Sequence, residues 1–396
     1  MSDQPRKRLA IVTTIWNWRS HANHMAERFL RGYPREGRWH LPEMDIVSAY
    51  VDQQSSDDLS QSRAAEHEFD IYPTIAETLC AGGDKLAVDG VLLIAEHGDY
   101  PDNEKGQKLY PRYKFFQQIV EVFRQAGRAV PVFNDKHLSY SFEQAKQMVD
   151  ASRDLEFGFL AGSSLPVTFR LPPVELPFGC EIEEAVMVGV GNSDAMDFHA
   201  LEAMQCMVER RRGGECGVRA VQLVDGVDVW RAAQHGRWSR RLLEAALARS
   251  DSRTGISLVD GRPQDLIHSG ELERLAKAPA AYFVEYNDGL RATLLMLNGV
   301  VNDFTFAAKL RGQDQPLSTQ FLLPPSPNVV YSAVLMEKAE ELMLTNRAPY
   351  PVERTLLVSG LLERCLESRL HGHRRLRTPE LDVCYQSPAE SQYRQT

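Results

Sequence analysis

Apolar and polar positions follow two textures along this chain. Up to about residue 155, short apolar runs of strand length alternate with stretches whose apolar residues recur at helical spacing. Leu9–Val12 is the first run, and an amphipathic helix over Ser20–Leu30 follows it. The second, MDIVSAYVD, ends on Asp52. A helix over Tyr72–Ala81, an apolar strand in VDGVLLIAE, a helix over Tyr113–Ala126 and a strand over Ala129–Phe133 come next. A helix over Phe142–Ser152, with Ser141 placed as its cap, and a strand over Glu156–Ala161 complete the pattern. Strands apolar on both faces and separated by helices predict a parallel sheet covered on both sides. In such sheets ligands collect at the carboxyl ends of the strands, so chemistry is sought there.

From about Glu181 the texture changes. Strand-like AVMVGVG precedes a helix over Asp197–Arg211, then VRAVQLVDG and a helix over Ser239–Ala248. The runs AYFVEYNDG, RATLLMLNG and VNDFTFAAKL are divided by Asn-Asp-Gly and Asn-Gly, strong hairpin signals that predict three antiparallel neighbours. Proline-rich LLPPSPN leads to helices over Val329–Leu344 and Val352–Arg369. The expected fold class is α/β: an N-terminal Rossmann-like, doubly wound domain over residues 1–155, and a C-terminal α/β domain with a largely antiparallel sheet over 156–396. No internal repeat or low-complexity tract interrupts it.

Charge narrows the partners. With 45 Lys and Arg against 54 Asp and Glu, the 396-residue chain carries a net charge of −9. This excess of acid argues against nucleic acid or an anionic membrane surface as a partner. The densest basic runs, Arg210–Arg212 and His371–Arg377, read as solvated helix ends. Neither a convincing signal peptide nor an apolar run of bilayer length is present, and the six cysteines form no CxxC pair. The expectation is a soluble, cytoplasmic protein with reduced thiols.

Several strand ends carry chemistry. The first turn, TTIWNWRSHANH, holds Trp16, Trp18, Arg19, His21 and His24 where a phosphate-binding turn would hold glycines. One tryptophan is expected in the core; the other, with Arg19, would offer an aromatic and cationic surface to a sugar ring or an anion. After the fourth strand, Glu96, His97 and Asp99 suit proton transfer or a divalent metal at Glu96 and His97, or simply brace their loop. Lys136 and His137 follow the fifth strand. His199 near a helix start suits a neutral base. Ser163 and Ser164 lack a nucleophile elbow, and no cysteine has a defined base partner.

The loop NDKHLSYSFEQAKQMVDA resembles the segment after the fifth strand in the Gfo/Idh/MocA family of sugar and polyol dehydrogenases, where Glu-Lys-Pro-Leu precedes a helix opening Glu-x-Ala. Asp135, Lys136, His137 and Leu138 stand in the first four places, and Glu143 and Ala145 open the helix. GNSDAMDFHALEAMQCM is similar to the family's second motif, and the closing helices also match its pattern. The resemblance implies that Lys136 lies beside the nicotinamide and the reacting carbon and that His199 transfers a proton. The aspartate expected four places before His199 is Ala195, which leaves Asp194 and Asp197 as candidates. His97 is a further catalytic candidate.

For an NAD or NADP cofactor, the resemblance assigns Thr13, Thr14, Ile15, Trp16 and Trp18 to the phosphate loop, Asp52 to the ribose hydroxyls and Glu96 to the cleft. Arg19, His137, Ser163 and Ser164 would meet a sugar-like substrate. Against the pattern Gly-x-Gly-x-x-Gly-x-x-His, the chain has Thr13, Ile15, Trp18 and His21, so only the histidine is kept. Ile and Trp take positive φ at a steric cost, and their side chains occupy phosphate volume, which sets the loop against ordinary dinucleotide binding. The expected function is an oxidoreductase acting on a sugar, polyol or related small molecule. The alternatives are a cofactor-free or metal-assisted lyase or hydrolase and a non-catalytic ligand-binding protein; the resemblance also implies a homo-oligomer through the second sheet.

Overall fold

A computed structural model describes residues 5–191, 193–251, 265–324 and 329–395. Its first sheet contains β1 (Lys7–Thr13), β2 (Met44–Val51), β3 (Asp70–Ile71), β4 (Gly90–Ile94), β5 (Val132–Asp135) and β6 (Phe159–Gly162). All pairs are parallel and the order is β3-β2-β1-β4-β5-β6. That is the doubly wound order whose direction reverses between β1 and β4, which places a crevice at their carboxyl ends. Gly90–Ile94 is buried throughout, as expected for a strand covered on both faces.

Helices α1 (Glu27–Arg31), α2 (Ser60–His67), α3 (Ile75–Cys80), α4 (Arg112–Ala126) and α5 (Phe142–Asp154) accompany this sheet. A π-helical turn, Ala22–Ala26, leads into α1. Ser141 precedes α5 but its side chain caps nothing; the N–H of Phe142 instead donates to Glu363 at 2.7 Å. A carboxylate from a later helix thus replaces the local cap.

The second sheet is built from β7 (Phe169–Leu171), β8 (Ile182–Gly189), β9 (Val218–Asp225), β10 (Ala280–Tyr286), β11 (Arg291–Met296), β12 (Phe304–Leu310), β13 (Leu317–Leu322) and β14 (Leu376–Arg377), in the order β14-β9-β10-β11-β8-β12-β13-β7. β8 and β11 are parallel and every other pair is antiparallel. β10 and β11 form the expected hairpin. β11 and β12 do not, because β8 lies between them. Asn298–Gly299 does turn the chain, but Asn298 holds the N–H and C=O of Gly191 at 2.9 and 2.8 Å, so the turn crosses the end of β8.

Helices α6 (Asp194–Val208), α7 (Val227–Gln234), α8 (Arg240–Leu247), α9 (Glu271–Leu275), α10 (Val330–Thr345) and α11 (Glu353–Leu370) follow in the second half of the chain. α6 and α11 pack between the two sheets, and one apolar core runs from Val12 and Val91 through Phe198 and Leu357 to Met187 and Leu294. α10 returns to the first sheet: Leu335, Met336 and Leu342 pack with Ile11, Trp16 and Phe133. The proline-rich segment before α10 falls largely outside the described residues. No helix among the described residues is long and apolar enough to cross a membrane.

Candidate active site

The carboxyl ends of the first sheet, the first turn of α6 and the start of α10 enclose a cavity of about 690 Å³. Its lining includes His21, His24, Glu96, His97, Lys136, Ser164, Asp194 and His199. Lys136 stands one residue beyond β5 at φ +67°, and His97 stands just past β4 at φ +70°. For residues with a Cβ this left-handed backbone costs on the order of 1–2 kcal/mol. Surrounding bonds hold the Lys136 turn in place. Its N–H donates to Gly162 at 3.0 Å, while the buried Asn134 amide donates to the carbonyls of Asp135, Lys136 and His137.

Behind Lys136 lies a buried chain of polar groups. Lys136 Nζ is 3.3 Å from His21 Nε2, and His21 Nδ1 is 2.5 Å from Asp135 Oδ2. A lysine ammonium only donates, so Nε2 accepts and the imidazole proton lies on Nδ1, donated to Asp135. Burial, then the charge of Lys136, holds His21 well below its ordinary pKa, which keeps the ring neutral in this role. The rings of His24 and His97 meet His21 edge-on at 4.8 and 4.9 Å. The π-helical turn that carries His24 is a form of helix often found at functional sites.

The facing wall comes from α6. Burial and then Lys136 hold His199 well below its ordinary range, and its Nδ1 has no partner among the described residues. Asp194, in the first turn, is pushed up to about 6 chiefly by burial. On a third side Glu96 pairs with Arg112, which also donates to His137 Nε2 at 3.2 Å.

The turn after β1 is closed on itself. Trp16 is fully buried, stacks on Phe69 at 6.0 Å and donates Nε1 to Glu27 at 3.1 Å. Ser20 Oγ accepts the N–H groups of Asn17 and Asn23, and Asn23 Oδ1 accepts that of Arg19. Asp52 accepts the hydroxyls of Tyr50 and Tyr100, both at 2.7 Å. Gln53 exchanges two hydrogen bonds with the Asp99 backbone, at 2.9 and 3.0 Å. The loops after β2 and β4 are therefore clasped across the end of β1, which lies between those strands.

The structure brings together Lys136, His199, Asp194, His97, Glu96 and Ser164 of the residues expected from sequence, and sets others apart. Ser163 does not line the cavity, because its N–H and Oγ both donate to Glu202. Asp197 accepts the Tyr282 hydroxyl at 2.5 Å and lines a neighbouring cavity. His137 is buried against Phe198 and Arg112. Thr13 and Thr14 donate to Ile94 and Glu96 carbonyls, and Ile15 is partly buried beside them. Trp18 and Arg19 point outward to a separate pocket. The metal alternative at Glu96 and His97 has no support: the Glu96 carboxylate is committed to Arg112, and no three His, Cys, Asp or Glu among the described residues are grouped to hold an ion.

Four participants escaped the sequence reading of the site: His21 and Asp135 as a pair, Arg112, and Tyr331 at the rim. The histidine retained in the first turn was the available signal for His21. No local pattern marks Arg112.

No protein-family profile matches the chain, and no curated protein matches it in sequence. Solved structures match its fold. GenD2 from gentamicin A biosynthesis in complex with NAD aligns at TM-score 0.56 with 11% identity, over 95% of this chain and 98% of its own. Myo-inositol 2-dehydrogenase from Lactobacillus plantarum aligns at 0.55 with 10% identity, over 94% and 99%. Myo-inositol dehydrogenase from Lactobacillus casei, in complex with NAD(H) and myo-inositol, aligns at 0.52 with 10% identity, over 94% and 96%. This chain has the fold of these three structures, the fold implied by its motifs.

Proposed function

We propose that the chain is a divergent Gfo/Idh/MocA-like enzyme that takes a sugar, polyol or related hydroxylated small molecule into the 690 Å³ cavity and performs proton transfer on it. The observation that carries this reading is Lys136, held at φ +67° so that its ammonium shares the cavity with a neutral His199. The ammonium neutralises charge that develops on a substrate oxygen. His199 takes a proton from the adjacent carbon, and Asp194, whose carboxyl is pushed by burial up to about 6, supplies a second acid or base. Asp135 and His21 fix the direction in which Lys136 donates.

The dinucleotide held by GenD2 and by the Lactobacillus casei enzyme does not fit the residues present here. Supporting this are the buried Trp16 in the phosphate turn, the Ser20 and Asn23 side chains on its N–H groups, the two tyrosine hydroxyls on Asp52 and the Gln53–Asp99 clasp. The reaction is accordingly read as redox-neutral. On an aldose, ketose or ketopolyol, a proton leaves the carbon alpha to the carbonyl, its electron pair forms the C=C bond of an enediol and the carbonyl π pair moves to oxygen; a proton returned to the same carbon gives the epimer, and one returned to the former carbonyl carbon, with loss of the neighbouring hydroxyl proton, gives the isomer. Isomerisation and epimerisation belong to this class.

The test is turnover of a panel of aldoses, ketoses and cyclic ketopolyols, with and without NAD⁺ or NADP⁺. Turnover without dinucleotide, lost in Lys136→Met, is expected. Turnover that requires dinucleotide and is accompanied by its reduction would overturn the redox-neutral reading.

A further inference from the structure

Outside α1 lies a second pocket, of about 320 Å³, lined by Trp18, Arg19, Arg31, Trp39 and Tyr331 among others. Two indoles meet water here: Trp18 is 65% and Trp39 is 62% exposed. Trp39 is nevertheless fixed in place. Its Nε1 donates to the Arg31 carbonyl at 2.8 Å, and its ring covers Gly32, where a Cβ would come within 2.7 Å of Nε1. Arg19 is held at φ +67°, and its guanidinium has no ion-pair partner among the described residues. Rigid exposed aromatics and strained backbone are features of ligand clamps.

The charge of the pocket sets the class of ligand. Arg19, Arg28 and Arg31 line it; Arg31 pairs with Glu66 at 2.6 Å and lies 3.6 Å from the buried Glu27, which also bonds Trp16, Asn23 and Arg63, so Arg19 is the cation that the pocket offers to a ligand. The pocket neighbours the candidate active site, since His24 and Tyr331 line both.

We propose that this outer pocket is an anion-and-ring subsite, in which a phosphate or carboxylate of a sugar-like ligand pairs with Arg19 while a sugar face stacks on an indole, leaving the reactive end toward Lys136. The proposal rests on the reading of the inner cavity as the reaction site and names the substrate class: an acidic sugar derivative. Indole stacks on the C–H face of a sugar ring, and guanidinium binds phosphate or carboxylate through paired hydrogen bonds.

Tryptophan fluorescence of the full chain, titrated with glucose 6-phosphate, glucuronate and glucose, tests it. Saturable quenching by at least one of the anionic sugars at concentrations where glucose is silent is expected, and the arm that responds identifies phosphate or carboxylate. Arg19→Ala or Trp18→Ala weakens that binding about tenfold or more. No saturable response to either anionic sugar, or binding unchanged in both outer variants, would overturn the proposal. Lys136→Met separates the two readings, because it removes turnover while the outer subsite still quenches.

Discussion

Glu202 lies on α6 one turn beyond His199 and fastens that helix beneath the cavity. Its Oε2 accepts the N–H and Oγ of Ser163, at 2.6 and 2.7 Å, and its Oε1 accepts Thr355 Oγ1 at 2.9 Å. Full burial outweighs these donors and pushes the carboxyl from its ordinary 4.5 up to about 7. The folded state thus holds the proton more tightly than the unfolded chain. The stabilisation is complete below pH 4.5 and is lost as pH rises through 7. A shift of this size corresponds to about 3 kcal/mol. Glu202→Gln keeps an acceptor for Ser163 and can donate to Thr355 Oγ1, whose single hydrogen then turns from the carboxylate to the Ala161 carbonyl at 3.0 Å. Urea unfolding at pH 5, 6.5 and 8 is the assay. The variant is expected to match the wild type within about 1 kcal/mol at pH 5 and to exceed it by about 3 kcal/mol at pH 8. A variant less stable than the wild type at pH 8, with the same pH slope, would show that the carboxylate is ionised and stabilised by its three donors, which refutes the reasoning.

Other outcomes follow from the same geometry. Trp16→Ala empties a fully buried site and removes a donor from Glu27, so thermal or urea unfolding should show a loss of about 3–5 kcal/mol; a loss below 1 kcal/mol would mean that Trp16 does not plug the turn. Asp135→Asn removes the carboxylate that fixes the His21 proton, and turnover should fall about 10²-fold with an altered pH profile while the fold is retained; an unchanged profile would confine Asp135 to a structural role. Gly32→Ala should lower the melting temperature and shift Trp39 emission, since the added Cβ collides with the His40 carbonyl and comes within 2.7 Å of Trp39 Nε1; an unperturbed spectrum would show that Trp39 is not anchored there.

Much of the architecture was legible because strand and helix periods are local. Apolar runs such as VLLI and amphipathic stretches such as Arg112–Ala126 declare themselves within a dozen residues. Chain-end geometry is local too, which is why Lys136 could be placed at a strand end before its surroundings were known. Partners across the sheet were not legible. His21 and Asp135 are 114 residues apart, and only the parallel order places them side by side. Asn298–Gly299 carries a sound turn signal, yet β8, more than 100 residues earlier, takes the place of the hairpin partner. Ser163 and Asp197 are of suitable type and position for a site, but Glu202 and Tyr282 claim them first. The first turn was half legible. Loss of its glycines was plain in sequence, whereas the division of labour between a core Trp16 and an exposed Trp18 required the fold.

Proton transfer at Lys136 and His199 is measured by incubating the protein with a panel of ketoses and cyclic ketopolyols in D₂O and following carbon-bound hydrogen by NMR. Deuterium is expected at a position alpha to the carbonyl of at least one compound, without added dinucleotide, and none with Lys136→Met or His199→Ala. Exchange that proceeds equally in both variants, or the absence of exchange throughout the panel, would contradict it.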